Sequence, residues 1–461
     1  MAEEQFDLLV IGGGTAGLAA ARAANARGLR VALADSTRLG GDCLWWTCLP
    51  TKALLVAAQA RYAALQAGEL GIDIPTANVD FTRVQERKAE VLVALAVADS
   101  TAAVTAEGIT LFKGRAAFVD PHRVRVRDTD IVADQIVLAT GAFPWLPPIP
   151  GLADIKFLTY MRAVGLSALP ASIIVIGGGA VGCEFAQLFS RLGVKVTLVE
   201  TCARLLLNDE PESSALAAQS LRADGITVYL NAHVRQALQT ENDKSLLVDI
   251  DGESLTLSAA EVLVATGRKP QLDGLNPTAA GLTVERGRLS VQATLQTNVP
   301  HIWACGDVAG GPQFRPLAEA QGAHVGAQAG ADAPAPFTML PLAHTTFIDP
   351  EIAGVGLTED DARATGMDVV IGYAPFSTCD RAVIAGNSAG FVKLVVDRQN
   401  GTLLGGHLVG HNAGEMIHEL ALALAAKLSV RMIADLPRVY PSLATAVQAA
   451  AQQAANKVYP G

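Results

Sequence analysis

The chain opens with short apolar runs separated by a glycine-rich turn and an alanine-rich stretch. Residues 8–11 are continuously apolar, Gly12 to Gly17 form the turn, and residues 30–34 are a second, mainly apolar run that is followed by Asp35. Short apolar runs bounded by turn residues are typical of buried strands, whereas alanine favours helix. The pattern therefore predicts a strand-helix-strand unit.

The glycines of this turn have the spacing of a dinucleotide-binding fingerprint. In such a turn Gly12 makes the tight bend, Gly14 lets the backbone approach a pyrophosphate, and Gly17 packs the helix on the strand. Asp35, about 20 residues further on, is expected to accept hydrogen bonds from a ribose hydroxyl. One motif of this kind alone would be weak support for nucleotide binding.

The whole unit recurs with a constant offset of 165 residues, from Gly12 to Gly177, and Glu200 then takes the position of Asp35. The repeated turn has its glycines at Gly177, Gly179 and Gly182. Because glycines, acid and spacing repeat together, we predict two bound dinucleotides, one per unit.

Shorter motifs follow the two units. Apolar strands close with Ala-Thr-Gly at Thr140-Gly141 and again at Thr266-Gly267, and each is expected to return the chain beside its nucleotide. Residues 301–307 predict one more buried strand that ends in Gly306-Asp307, where the carboxylate could bind a sugar-like hydroxyl chain.

Two helical stretches, residues 52–68 and 81–106, are predicted to be packing helices between the first unit and Thr140. Proline-rich segments at residues 144–151 and 334–336 predict linkers.

The composition changes after the second linker. Residues 391–396 and 403–409 predict a hairpin, and residues 413–428 predict an amphipathic helix. We expect the last 120 or so residues to form a separate α+β domain without a nucleotide motif.

The 461 residues suffice for about three domains, and the chain is 50% hydrophobic and 17% charged. A net charge of −10 argues against nucleic acid or an anionic membrane as a partner. No apolar run approaches the ~18 residues that span a bilayer, and the acidic start shows no signal peptide. We therefore expect a cytoplasmic protein.

The candidate chemistry lies between Gly40 and Lys52, where Cys43 and Cys48 are two of only six cysteines. In a cytosolic chain a close cysteine pair is more often catalytic or metal-binding than structural. Zinc sites usually need four ligands, and the other cysteines are scattered, so we predict no metal. A redox dithiol is favoured over two buried structural thiols.

Together these motifs resemble the class I pyridine nucleotide-disulfide oxidoreductases, which include dihydrolipoamide dehydrogenase, glutathione reductase and mercuric reductase. The resemblance covers nearly the whole chain. It is carried by residues 12–17 with Asp35, 40–52, 139–141, 177–184, 267–270, 306–307, 347–353 and 414–419.

The resemblance implies an α/β fold with two Rossmann-like dinucleotide-binding domains and a C-terminal α+β dimerisation domain. Residues 1–145 and 271–335 would bind FAD, residues 146–270 would bind the nicotinamide nucleotide, and residues 336–461 would form a homodimer. Each active site would then lie at the subunit boundary.

The resemblance also assigns roles. A hydride passes from NAD(P)H to FAD, which reduces the Cys43–Cys48 disulfide. Cys48 would be the thiolate beside the flavin and Cys43 the thiol that meets a small-molecule or protein disulfide. Lys52 and Glu184 match an ion pair beside the flavin ring, and Gly41 belongs to the FAD site.

The choice of nicotinamide nucleotide depends on Glu200. A carboxylate there accepts a free ribose 2′-hydroxyl and repels a 2′-phosphate, so NADH is preferred. Arg204 lies close enough in sequence to keep NADPH possible.

The end of the chain departs from the family pattern of a His-Pro followed by Glu, which the partner subunit supplies as a general base. Tyr440 occupies the His position and Thr445 the Glu position. A tyrosine with a pKa of about 10 is a poor base at pH 7, although its hydroxyl can donate a hydrogen bond. The nearby His407, His411 and His418 are expected on the surface or at an interface.

Two further departures from the family pattern bear on the function. Trp45 and Trp46 replace small residues between the cysteines, and they either line the substrate side or pack against the domain. Tyr-Pro endings are similar to those of mercuric reductase-like proteins, yet the chain lacks the C-terminal cysteine pair of mercuric reductase and of large thioredoxin reductases.

Three functions follow. The first is an NAD(P)H reductase that works through Cys43 and Cys48 on a disulfide or other electrophilic acceptor. The second is direct transfer from the flavin to quinones, metal ions or oxygen, with the thiols dispensable. The third is a non-catalytic flavoprotein subunit of a redox complex.

Overall fold

In the computed structural model, which describes residues 2–240 and 243–460, the first part of the chain forms parallel strands extended by an antiparallel hairpin. Its strands are β1 (Ala2–Ile11), β2 (Val31–Asp35), β3 (Thr110–Lys113), β4 (Ala116–Asp120), β5 (Arg123–Val126), β6 (Thr129–Leu138) and β7 (Ala142–Pro144). Its helices are α1 (Thr15–Asn25), α2 (Gly41–Trp45), α3 (Cys48–Gln66), α4 (Phe81–Leu95) and α5 (Thr101–Ala106).

The second part repeats the parallel arrangement and adds an antiparallel sheet. Its helices are α6 (Tyr160–Ala163), α7 (Ala180–Arg191) and α8 (Pro211–Ala223). Its strands are β8 (Ser172–Ile176), β9 (Lys195–Val199), β10 (Thr227–Tyr229), β11 (Ala232–Gln239), β12 (Lys244–Ile250), β13 (Glu253–Ala259) and β14 (Glu261–Val264).

The chain then returns to the first sheet through β15 (Arg268–Pro270), β16 (Val284–Glu285), β17 (Arg288–Leu289), β18 (Ile302–Ala304) and α9 (Arg315–Gln328). The C-terminal strands are β19 (His344–Thr346), β20 (Glu351–Gly356), β21 (Val369–Pro375), β22 (Phe391–Asp397) and β23 (Leu403–Gly410). The C-terminal helices are α10 (Glu359–Ala364), α11 (Asp380–Ile384), α12 (Ala413–Ala425), α13 (Val430–Asp435) and α14 (Ala444–Val458).

The two parallel sheets share their register as well as their sequence. In the first, Leu8 on β1 pairs with Val31 on β2, and in the second, Ile173 on β8 pairs with Val196 on β9. These pairs are related by the same offset of 165 residues as the glycine turns. The repeat is therefore structural, and it places an equivalent turn at the carboxyl end of β1 and of β8.

The chain leaves and re-enters the first sheet at one place. Strand β7 leads out of it, β15 leads back, and the two pair antiparallel with Arg268 opposite Pro144. After the return, β18 pairs in parallel with β6, so the buried strand predicted at residues 301–307 is part of the first sheet but covers only Ile302–Ala304. The second unit is thus an insertion between two crossings of the first.

The apolar residues of the strands form the cores. Both faces of the first sheet are covered, and one cluster packs α3 against α7 with residues of the C-terminal strands. The C-terminal domain has its own core, formed by β20 to β23 with α12 and α14. Short 3-10 turns lie at Ala67–Leu70, Val97–Asp99, Leu152–Asp154, Pro277–Ala280, Gly306–Ala309 and Phe376–Thr378.

The single helix predicted for residues 81–106 is wrong. Helix α4 ends at Leu95, and α5 starts afresh after Ser100, which has an extended backbone (ψ 152°) and whose side chain accepts a hydrogen bond from the amide of Ala103. A serine in this conformation caps a new helix and so interrupts the old one. The predicted α/β fold with two nucleotide-binding units and a C-terminal α+β domain is confirmed.

Candidate active site

The two glycine turns have the same backbone geometry. Gly12 and Gly177 both have φ near +109°, a conformation that favours glycine. A Cβ atom on Gly17 would lie 1.8 Å from the carbonyl oxygen of Gly12, and one on Gly182 would lie 1.8 Å from that of Gly177. The last glycine of each turn thus allows the helix to pack directly on the end of the strand.

The acids at the ends of β2 and β9 hold these turns. Asp35 Oδ2 accepts a hydrogen bond of 2.7 Å from the amide of Gly13, and Glu200 Oε2 accepts one from the amide of Gly178. The ribose contact expected of each acid stays a prediction. The contact to the turn adds a second role, because each carboxylate fixes the loop that would approach the phosphates.

A cleft opens at the first turn. Of the residues predicted to bind cofactor, the cleft is lined by Gly12, Gly14, Asp35, Gly41, Thr140, Gly141, Gly306 and Asp307. Backbone crosses closely at its floor, where a Cβ on Gly41 would lie 2.6 Å from Gly14 Cα. Gln271 Oε1 and Arg268 Nε are buried near the cleft, and neither has a hydrogen-bond partner within the described residues. A floor of bare backbone with unpaired polar atoms fits a long nucleotide such as FAD.

Cys43 and Cys48 are joined by a disulfide, with their Cα atoms 4.6 Å apart. Cys43 lies on α2 and lines the cleft directly, whereas Cys48, the first residue of α3, reaches it through the disulfide. Cys305 also lines the cleft, but burial raises the pKa of its thiol to about 12, so it stays protonated. The disulfide is therefore the sulfur chemistry that the cleft offers.

The two tryptophans between the cysteines lie in different surroundings. Trp46 lines the cleft and packs against the core around α3 and α7. The Trp45 indole donates a hydrogen bond of 2.6 Å to the Leu39 carbonyl, and the Arg38 guanidinium lies 5.1 Å from its ring. Trp45 therefore packs against the chain itself, whereas Trp46 both packs against the core and faces the cleft.

Lys52 and Glu184 form an ion pair with Nζ 2.7 Å from Oε2. Lys52 is on α3, one helical turn after Cys48, and Glu184 is on α7. Glu184 also accepts a hydrogen bond of 3.0 Å from the amide of Phe347, at the end of β19. The pair thus fixes a cation close to the disulfide at a junction of all three domains.

A polar network lies at the cleft, and only one of its members, Asp307, was predicted as a site residue. Asp42 accepts hydrogen bonds from Arg268 and from the Tyr160 hydroxyl, and Arg268 Nη1 lies 2.7 Å from Asp307 Oδ2. Burial raises the pKa of Asp42, and the charge of Arg268 opposes that rise. The only signal in the sequence was that Arg268 follows the repeated Ala-Thr-Gly.

Around the second turn, Gly179 precedes α7 and Gly267 has a left-handed backbone (φ +118°) after β14. Arg204 does not contact Glu200. Its guanidinium donates to the Asp209 carbonyl at 2.7 Å and to Ser214 Oγ at 2.8 Å. The Arg204 guanidinium is thus already engaged, and its alternative role toward a 2′-phosphate stays a prediction.

Tyr440 lies on the C-terminal domain, outside the lining of the cleft, with 72% of its surface exposed. Its hydroxyl donates a hydrogen bond of 2.7 Å to Asp380 Oδ2, and this bond raises the pKa of the tyrosine. The Thr445 hydroxyl is held by the Ser442 carbonyl at 2.7 Å. Within one chain the structure thus does not bring Tyr440 to the cysteines.

The expectation that His407 lies on the surface or at an interface is wrong, because it is 2% exposed within the chain. It belongs to a buried charged cluster between β22, β23 and the start of α8. Lys393 Nζ lies 2.9 Å from Glu210 Oε2, 2.8 Å from Glu212 Oε1 and 2.9 Å from Glu359 Oε2. A lysine within an otherwise apolar predicted strand was the signal for this cluster.

In the described ranges no group of three His, Cys, Asp or Glu side chains could hold a metal ion. None of the helices there is long and apolar enough to cross a membrane.

Family models match most of the chain. Residues 6–322 match the pyridine nucleotide-disulphide oxidoreductase model, and residues 342–451 match the dimerisation domain of the same family. A mercuric reductase of Staphylococcus aureus is 33% identical over 88% of this chain and 74% of its own length. A dihydrolipoyl dehydrogenase of Bacillus subtilis is 33% identical over 88% of each chain.

Similar solved structures agree with these family models. The HOCl-induced flavoprotein disulfide reductase RclA of Escherichia coli superposes with a TM-score of 0.85 at 28% identity, covering 96% of this chain and 98% of that one. A Cu(II) complex of the same reductase has a TM-score of 0.84 at 27% identity, with 97% and 99% covered. Family members use FAD with NAD(P)H as electron donor, so the prediction of FAD and a nicotinamide nucleotide is confirmed, and the preference for NADH stays a prediction. The chain belongs to the class I pyridine nucleotide-disulfide oxidoreductases.

Proposed function

We propose that the protein is a cytoplasmic, homodimeric reductase that uses NADH to reduce the Cys43–Cys48 disulfide and passes the electrons to a disulfide or other electrophilic acceptor. Residues 1–145 with 271–335 would hold FAD, residues 146–270 NADH, and residues 336–461 the partner subunit. The observation that carries the proposal is the disulfide at the lining of the first cleft, beside the Lys52–Glu184 pair.

FAD, when bound, accepts a hydride from NADH and can deliver two electrons to a disulfide. The overall step consumes NADH and the disulfide, and it yields NAD⁺, one thiol and one thiolate. Cys48 would keep negative charge as a thiolate, because it is the first residue of α3 and Lys52 lies one turn away. Cys43 would be the thiol that attacks the acceptor.

Two features of the second unit favour NADH. The Glu200 carboxylate ends β9, where a ribose would lie, and it would repel a 2′-phosphate. Arg204, the nearest candidate to balance that charge, donates to Asp209 and Ser214 instead. We expect a KM for NADPH at least about tenfold above that for NADH, since one tenfold step corresponds to only about 1.4 kcal/mol.

Tyr440 is proposed to face the partner's disulfide as a hydrogen-bond donor rather than a base, which requires its hydroxyl to release Asp380. The match to the dimerisation domain supports a homodimer, and the raised pKa of Tyr440 keeps its hydroxyl protonated at neutral pH. Acceptors whose reduction needs a histidine base, such as lipoamide, should then be poor substrates.

The state of the other cysteines supports the cytoplasmic location. In the described residues no disulfide is formed by Cys183, Cys202, Cys305 or Cys379.

The test compares acceptors in wild type and in Cys43→Ser. With NADH as donor and a screen of low-molecular-mass disulfides, the proposal expects turnover in wild type that falls to background in the variant. Turnover with any disulfide also removes the alternative of a non-catalytic subunit. Disulfide turnover that survives in Cys43→Ser would contradict the proposal.

A second candidate function is reduction of quinones or metal ions directly from the flavin. The specific observation in its favour is the Cu(II) complex of the similar Escherichia coli reductase. Here Cu(II) would be a substrate, since the described residues hold no resident metal site. NADH-driven reduction of Cu(II) or of a quinone that is equal in wild type and Cys43→Ser would favour this candidate.

A further inference from the structure

We propose that the Thr47 hydroxyl positions and stabilises the reduced sulfur of Cys48. This inference rests on the proposed function of the Cys43–Cys48 pair. The Thr47 Oγ1 atom lies 3.5 Å from Cys48 Sγ, within hydrogen-bonding reach of a sulfur acceptor, and the hydroxyl is the donor.

Thr47 is the N-cap residue of α3, a helix of 19 residues, yet its side chain caps no amide of that helix. Threonine at this position ordinarily accepts a hydrogen bond from the first helical turn. Here only the Thr47 carbonyl serves the helix, by accepting from the amide of Thr51 at 3.1 Å. In the described part of the chain the hydroxyl has Cys48 as its one hydrogen-bond partner. The side chain is therefore committed to the sulfur instead of the helix.

Reduction of the disulfide changes the strength of the hydrogen bond from Thr47 to Cys48. Two electrons break the S–S bond, one proton goes to Cys43, and Cys48 keeps the negative charge. A neutral disulfide sulfur is a weak acceptor, whereas hydrogen bonds to ionised groups are about twice as strong as neutral ones. The contact thus strengthens as the disulfide is reduced, and it favours the thiolate over the thiol.

The charged groups on the elements around the start of α3 are paired with one another. Lys52, on α3, is paired with Glu184 on α7 and lies 4.5 Å from the ring of Phe347. Asp42, on the adjoining α2, is paired with Arg268. Because both cations are partly neutralised by carboxylates, the helix terminus and the Thr47 hydroxyl add to the stabilisation that Lys52 gives the sulfur.

The test uses Thr47→Val, which removes the hydroxyl at almost constant volume, and Thr47→Ser, which keeps it. Each holoenzyme is reduced anaerobically with NADH, and the long-wavelength thiolate-to-flavin band is followed against pH. We expect the midpoint of Thr47→Val to rise by about 1 pH unit and that of Thr47→Ser to stay within about 0.3 unit of wild type.

A Thr47→Val midpoint equal to that of wild type would overturn the role of the hydroxyl. If valine lowers FAD content or the unfolding temperature, Thr47→Ala is measured in its place with the same expectation. A wild-type protein without any such band would instead contradict the proposed function itself. The two failures are therefore distinguishable.

Discussion

Lys52 and Glu184 meet at 2.7 Å across two domains, and the same carboxylate accepts the amide of Phe347 from the third. Glu184 is 5% exposed, whereas the Lys52 side chain is 34% exposed. The Glu184 carboxylate is thus fixed in the core, and it determines the position of the Lys52 ammonium group. A cation held at this point can stabilise negative charge that arrives on a flavin or on a sulfur.

Replacing Glu184 by Gln keeps the shape of the side chain and its bond to Phe347 but removes the charge that fixes Lys52. We expect FAD to stay bound and the rate of flavin reduction by NADH to fall about tenfold. Stopped-flow absorbance would measure that rate. Glu253→Gln, an exposed carboxylate on β13, is the matched control and should leave it unchanged. Equal rates in both variants would show that the pair is only structural.

The repeated turns provide a matched pair of variants. A methyl group at Gly17 or at Gly182 would lie 1.8 Å from the carbonyl oxygen of the first glycine, so each turn must open to admit it. Gly17→Ala should lose FAD during purification. Gly182→Ala should keep FAD but need a much higher NADH concentration for half-maximal reduction. Flavin absorbance measures the FAD content of each variant, and an NADH titration measures the concentration that gives half-maximal reduction. Loss of FAD from both variants would contradict the assignment of FAD to the first turn and NADH to the second.

The buried charged cluster makes a prediction about stability. Lys393 has a 3% exposed side chain and neutralises Glu210, which is fully buried. Lys393→Met leaves that carboxylate without its cation, at a cost of about 3–5 kcal/mol. The unfolding temperature, followed by circular dichroism, should fall by several degrees, whereas the exposed Lys195→Met should unfold like wild type. A Lys393→Met variant as stable as wild type would disprove this role of the lysine.

His407 makes stability depend on pH. Burial lowers its pKa, although Leu357, Glu210 and Asp209 act in the opposite direction. Its Nε2 atom contacts the Leu357 carbonyl at 3.0 Å, and the buried Nδ1 has no partner among the described residues, which suits the neutral ring. The unfolded chain protonates this histidine below about pH 6.5, whereas the folded protein protonates it only at a lower pH.

It follows that His407 contributes nothing to the pH dependence above about pH 6.5 and destabilises the fold as the pH falls below it, by up to about 1.4 kcal/mol per pH unit. His407→Gln retains a donor for Leu357 and cannot titrate. Unfolding temperatures measured from pH 7.5 down to 5.5 should therefore fall less steeply for His407→Gln than for wild type. Parallel curves for the two proteins would refute the assignment.

The sequence predicted the features that depend on local pattern. The offset between Gly12 and Gly177 located both strand-helix-strand units, and the spacing of Cys43 and Cys48 indicated a redox dithiol, because turn geometry and thiol proximity depend on neighbours in the chain. The disulfide itself came from the family resemblance. The distant ion pair of Lys52 with Glu184 came only from the family resemblance.

Contacts between segments that are distant in sequence were harder to predict. Nothing local to Asp42 shows that Arg268 and Tyr160 converge on it, since Arg268 arrives on the returning strand β15 and Tyr160 on α6. His407 was misplaced for the same reason, because the segment that buries it comes from the second unit. The break after Leu95 was missed since Ser100 acts as a cap only when the backbone is extended there.

The central claim is that the Cys43–Cys48 disulfide stores electrons that arrive from NADH. An anaerobic titration with dithionite, followed by NADH addition, tests it most directly in wild type and Cys48→Ser. Wild type should take up one two-electron equivalent more per chain than the variant and should alone develop the long-wavelength band. Equal electron uptake by the two proteins, or a band that persists in Cys48→Ser, would contradict the account.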